Sequence, residues 1–252
     1  MTSLTQALQI LSISTALTAS GGIATLSAFD VPEIQSQPAS RSLPMIRWLF
    51  SRGSHIFPTA AFVSSAGFAS LAYKSLPSNI GGLQGVLKVL GNGGPPSLYA
   101  AAAVLTLSIA PWTALVMIPT NFALIQKNEE LGGARSRKSA AAGNKGGRSA
   151  EESVDGKGDV SQWTDVSGPT GKTGREGSEE QEREVGELLG RFKNLNWVRA
   201  GLIGVGGVRN SETIFNFNFN FNSSDNEEIR RLHSLDCEES SCTRKVVVEF
   251  TK

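Results

Sequence analysis

The stretch Ser97–Gln126, SLYAAAAVLTLSIAPWTALVMIPTNFALIQ, runs for thirty residues without an Asp, Glu, Lys or Arg. A hydrocarbon core of about 30 Å is crossed by roughly 20 helical residues, so this stretch reads as a membrane span. Pro111 and Pro119 fall inside it. Each removes a backbone donor, which predicts a kinked helix whose freed carbonyls are satisfied by neighbouring groups. Thr113, Met117 and Asn121 stand at i, i+4 and i+8 and share one helical face.

Working outward, two more stretches lack charge. Leu4–Phe29 is rich in Ser, Thr, Ala and Gly; it has no basic residues ahead of it, so it reads as a span rather than a cleaved leader. His55–Tyr73 is the second span, with Ala61, Ser65 and Ala69 at intervals of four, a spacing that lets helices approach closely in lipid. The linker Asp30–Arg52 carries Pro32, Pro38 and Pro44, which predict breaks in any helix there. A Gly- and Pro-rich connection, Ser75–Pro96, precedes the third span. A fourth candidate, Leu195–Val208, is short and carries Arg199. The expected fold is thus all-α, a four-helix transmembrane bundle. Helices 1–3 occupy residues 1–126, a disordered charged loop 127–187, the short fourth helix 188–210, and a low-complexity polar tail 211–252.

Charge is distributed to match. The net charge is +1, which argues against a nucleic-acid partner. Lys127–Arg191 holds about half of the charged side chains and is low in apolar residues, hence the expectation of disorder. Its Gly171-Lys172-Thr173 ends like a phosphate-binding loop, but Val166 stands where the first glycine belongs. Phe and Asn alternate over Thr213–Asn222, as in a strand or in low-complexity sequence. His233, Cys237 and Cys242 lack a fourth ligand at a standard spacing, so no metal site is expected.

With four spans, Arg41, Arg47, Arg52, Lys127, Arg135, Arg137, Lys138, Arg191 and Lys193 fall on one side; Lys74, Lys88 and Arg209 fall on the other. The positive-inside rule places the long loop in the cytoplasm and the sequon Asn222-Ser223-Ser224 opposite it. The expected location is a multi-pass position in the endoplasmic reticulum or another endomembrane. In this topology Arg52, His55, Asn121, Asn196 and Arg199 converge at the cytoplasmic end of the bundle. Polar groups at membrane depth are costly and mark candidate sites. Arg52 and His55 also fit plain interfacial roles, Asn121 fits a helix-packing role, and Trp48, Trp112 and Trp197 fit belt or packing roles.

Arg52-Gly53 followed by Pro58, Pro111-Trp112-Thr113 leading to Met117, Pro119, Asn121 and Leu124, and Leu188-Leu189 before Leu195-Asn196 and Val198-Arg199-Ala200 together resemble the anthrone oxygenase family. These are small four-span membrane proteins of polyketide pathways. The resemblance covers roughly residues 15–208, with the loop 127–187 outside it. It departs at Phe192, where the family favours Trp, and in the tail, which looks like the product of a retained intron or a shifted frame. The resemblance implies a monooxygenase that oxidises a polyketide anthrone to an anthraquinone with O₂, without metal or flavin, beside a lipid bilayer. It implies that Arg199, Asn196 and Asn121 hold the oxyanion and that His55 is the base, with Asp30 a second candidate. Arg52, Trp112, Thr113 and Met117 then contact the substrate. The competing expectations are a non-catalytic membrane scaffold or transporter accessory, and an inactive product.

Overall fold

The computed structural model describes residues 3–144, 146–156 and 158–235, with side chains through residue 208. Among the described residues every element is helical. In chain order they are α1 (Ser3–Gln35), α2 (Ala39–Lys74), α3 (Gly82–Gly91), α4 (Pro95–Glu130), α5 (Arg137–Ala141), α6 (Ala150–Asp155) and α7 (Glu179–Leu235). Three of them, α1, α2 and α4, are long and apolar enough to cross a membrane.

The prolines act differently from the breaks expected of them. Pro38 caps α2 with φ −54° and ψ 151°, but Pro32 and Pro44 lie inside helices. Pro44 cannot donate to the Ser40 carbonyl, and that carbonyl accepts from the Thr173 N–H instead, at 2.8 Å. The Ala39 N–H at the start of α2 donates to Glu182 Oε2 at 2.6 Å. Distant segments therefore supply what the helix start lacks, and α2 runs for 36 residues. At 1.5 Å per residue that is about 54 Å, longer than a hydrocarbon core of about 30 Å.

Two turns are one residue wider than an α-turn: Leu26–Asp30 in α1 and Thr113–Met117 in α4. Each ends two residues before a proline. The Val31 N–H donates to the Leu26 carbonyl ahead of Pro32, and the Ile118 N–H donates to the Thr113 carbonyl ahead of Pro119. A proline ring crowds the carbonyl four residues back, and the extra residue moves that carbonyl aside. The third expected span is thus interrupted twice, by the turn residue Ser108 ahead of Pro111 and by the wide turn ahead of Pro119.

Small residues bring the helices together. Ser65 Oγ donates to the Ala103 carbonyl at 2.9 Å, joining α2 to α4. Ala61 and Ser65 are buried as their spacing predicted, whereas Ala69 is exposed. Gly67 packs so closely on α1 that a Cβ there would collide with the Ser12 hydroxyl. The expected fourth helix, within α7, lies against both α1 and α4: Ser20 Oγ donates to the Ala200 carbonyl at 2.7 Å, and a Cβ on Gly206 would meet the Ala102 carbonyl at 3.3 Å. It is not among the helices apolar enough to span a membrane. The backbone of the Phe/Asn repeat is helical rather than extended. A second unit begins at Ser211 and runs to Lys252. Within it, the side chains of Asn222 and His233, together with all of Cys237, Cys242 and the 246–250 run, lie outside the described residues.

The charged loop, expected to be disordered, is largely organised by its own charges. Glu129, 1% exposed, pairs with Arg148 at 2.9 Å, and Arg148 also reaches Asp159 at 3.4 Å. Ser139 Oγ donates to Asp159 at 2.9 Å, Ser136 Oγ donates to Asp165 at 2.5 Å, and Arg135 donates to the Val160 carbonyl. Arg47 of α2, 2% exposed, donates to the Ser153 carbonyl at 2.8 Å and ties the loop to the bundle. Helix α6 starts with a reciprocal Ser149–Glu152 capping box.

Burial opposes ionisation of Asp159, but the Ser139 hydroxyl, the Val160 N–H and Arg135 outweigh it and hold the carboxyl below its ordinary 3.8. Burial likewise opposes ionisation of Asp165, and Ser136 and Ser167 outweigh it. A carboxyl whose folded-state pKa is depressed stabilises the fold above its unfolded value, and loses that contribution as pH falls through the folded one. The loop is therefore expected to keep its structure from neutrality to about pH 4 and to loosen at lower pH. Hydrogen exchange of amides 135–167 at pH 5 and pH 2.5 measures this; equal protection at both would contradict it.

Candidate active site

The two wide turns and the polar residues of α7 surround one cavity of about 620 Å³. Ligand sites typically occupy roughly 300–1,000 Å³, mostly apolar with a few convergent polar groups. Leu26, Leu49, Phe50, Phe57, Ile118, Phe122, Ile125 and Phe192 supply apolar walls, while Asp30, Arg52, Asn121, Asn196 and Arg199 supply polar groups. Phe192 meets Phe50 edge-on with centroids 5.1 Å apart, so the two rings pack together in the cavity wall.

Arg199 is the centre of this arrangement. It is 8% exposed, its Nη1 donates to Asn196 Oδ1 at 3.1 Å, and its guanidinium lies 5.9 Å from the Phe57 ring centroid. The three-residue spacing on α7 makes the Asn196 contact possible. Asn196 is fully buried and donates its own Nδ2 to the Phe192 carbonyl at 3.1 Å. Its amide is thus held by its own helix and in turn orients Arg199. Arg199 Nε and Asn121 Oδ1 are buried without a protein partner. Buried polar groups normally find partners, so these two atoms are available to a ligand.

Of the residues singled out from the sequence, Arg52, Thr113, Asn121, Asn196 and Arg199 line the cavity. His55, Trp112 and Met117 do not. Met117 is fully buried in the apolar core, and Trp112 packs against that core while its Nε1 donates to the Leu195 carbonyl at 3.3 Å. The His55 ring stacks on Trp163 of the loop at 3.6 Å, with Nε2 unpartnered. Asp30, the second candidate base, ends the wide turn of α1 and is the one carboxylate among the described residues lining the cavity.

The loop covers one end of the cavity. Val154 and Gln162 line it, and the Ser167 carbonyl accepts from Trp48 Nε1 at 2.8 Å and from Arg52 at 3.2 Å. Arg47 and Trp48 were not singled out as site residues by the sequence, although Arg47, Ser51, Ser54 and Pro58 follow a helical repeat on one face and all line the cavity. Val154 and Gln162 carried no signal at all, because they reach the site only through the loop's fold.

The fold and cavity define a helical protein with three membrane-length helices and an apolar pocket holding an Arg–Asn pair. The chain belongs to the anthrone oxygenase family: the family model described as anthrone oxygenase matches residues 47–209, well over half of its length. Neither the curated proteins nor the solved structures contain a significant match.

Proposed function

We propose that the chain oxidises a polyketide anthrone to the anthraquinone with O₂, in the cavity bounded by Asp30, Asn121 and Arg199. The observation that carries this reading is the desolvated Arg199, oriented by Asn196, with its Nε free and a carboxylate lining the same apolar cavity. Anthrones are planar and apolar with an oxygen edge, which suits such a pocket.

The chemistry needs a base and an oxyanion partner. Asp30 takes a proton from the central methylene of the anthrone, and Arg199 binds the oxygen of the resulting anthranolate. Asn121 accepts from a peri-hydroxyl. The electron-rich ring carbon forms a C–O bond with O₂, and the peroxide anion takes up a proton to give a hydroperoxide. Loss of water from it, with the remaining C–H electrons forming the second C=O, yields the quinone. One anthrone and one O₂ give one anthraquinone and one water. Asp30 replaces His55 as the preferred base because it lines the cavity and His55 does not.

Membranes containing the full chain are expected to consume one O₂ per anthrone, with the visible absorption of the anthraquinone rising in step. Uptake no greater than in membranes lacking the chain would favour a non-catalytic role.

A further inference from the structure

A second cavity, of about 560 Å³, lies beside the first and shares Pro58, Thr113, Ile118 and Arg199 with it. It is set between α2 and α4, two helices long and apolar enough to cross a membrane. Its rim includes Phe62, 67% exposed, and Leu107, 49% exposed. In a bilayer such side chains face hydrocarbon. The site cavity is covered at another end, where the loop places Val154 and Gln162 against it and bonds to Trp48 and Arg52.

The wall between the two cavities is built from irregular backbone. Pro58 removes a donor from α2, and the wide turn beginning at Thr113 interrupts α4. Arg199 borders both cavities; more than nine-tenths buried, it has no acceptor for Nε. A cation with an unfilled donor at the inner end of an apolar slot complements a ligand with a flat apolar body and an electron-rich oxygen edge.

We propose that the groove between α2 and α4 is the entrance through which this planar, oxygen-edged aromatic substrate passes from the bilayer into the site. The proposal rests on the reading of the site given above. Arg199 then draws the oxygen edge inward past Pro58 and Thr113, and the ring system follows without crossing water.

Ala110 and Ala114 line the groove and not the site cavity, and Leu115, 77% exposed, lines neither. The full chain in phosphatidylcholine vesicles is mixed with 1,8-dihydroxyanthraquinone, and quenching of tryptophan fluorescence is followed in time. Ala110→Trp and Ala114→Phe are expected to slow association about tenfold or more while leaving Kd within about threefold, because a blocked entrance slows entry and exit alike. Leu115→Trp is expected to leave both unchanged. Thermal unfolding of each variant accompanies the rates, and only variants that unfold as the wild type does are compared; Ala110→Phe and Ala114→Leu stand in for any that do not. Unchanged association in the groove variants, or equal slowing in Leu115→Trp, overturns the entrance, as does a wild-type chain that shows no quenching. A wild type that binds the quinone but oxidises no anthrone refutes the catalytic reading alone, and the association rates still decide the entrance.

Discussion

Arg199→Ala is expected to lower kcat for anthrone oxidation by about 100- to 1,000-fold, the scale of losing one preorganised oxyanion donor. Arg199 is desolvated and has Nε free, while Asn196 holds its other end. Its interaction with the substrate strengthens as charge moves onto the anthrone oxygen, so the loss falls on kcat more than on KM. Arg199→Lys keeps a charge but cannot form the same fork with Asn196 and the ligand, so it recovers only part of the rate. Asn196→Ala acts through Arg199: it is expected to lower kcat by about tenfold, and in the Arg199→Ala background to add little, since residues acting as a unit are not additive. Steady-state O₂ uptake on the four variants measures this. A kcat within about threefold of wild type for Arg199→Ala would remove the guanidinium from the mechanism.

Asp30→Asn is the second large effect, with an expected loss of about 100- to 10,000-fold in kcat, the range for a positioned general base. The amide is nearly isosteric, so the wide turn Leu26–Asp30 and the cavity remain while the proton acceptor is gone. Asp30→Glu is expected to retain intermediate activity. His55→Ala is expected to stay within about threefold, because geometry precedes pKa in choosing a base, and the His55 ring is engaged with Trp163 outside the cavity. Single-turnover quinone formation separates the two candidates: a slow His55→Ala and a normal Asp30→Asn would restore the histidine.

Much of this architecture is legible in the chain. The uncharged runs locate three membrane-length helices, because length and absence of charge can be read without knowledge of neighbours. The convergence of Arg52, Asn121, Asn196 and Arg199 follows from alternating helix direction, and all four line one cavity. His55, Met117 and Trp112 follow the same rules of spacing but face elsewhere. His55 stacks on Trp163 of the loop and lies outside the cavity lining, although its neighbours Ser54 and Ile56 belong to it.

The sequence by itself determined the helical class, the three apolar helices of membrane length, and the end of the bundle at which polar side chains gather. These depend on hydropathy and helical period, which are local properties of the chain. Only the tertiary structure decided that Pro32 follows a wide turn rather than a break, that the irregularity expected at Pro119 is a wide turn as well, and that Asp30 lines the cavity while His55 does not. It also decided that the loop folds over the site: composition predicts disorder where apolar residues are scarce, yet Glu129 and Asp159 are balanced by Arg148 and Arg135 in a buried network. That network depends on partners up to 30 residues apart in sequence, from Glu129 to Asp159, and on Arg47 still farther away in α2. No local window contains them together, so folding alone brings them into contact.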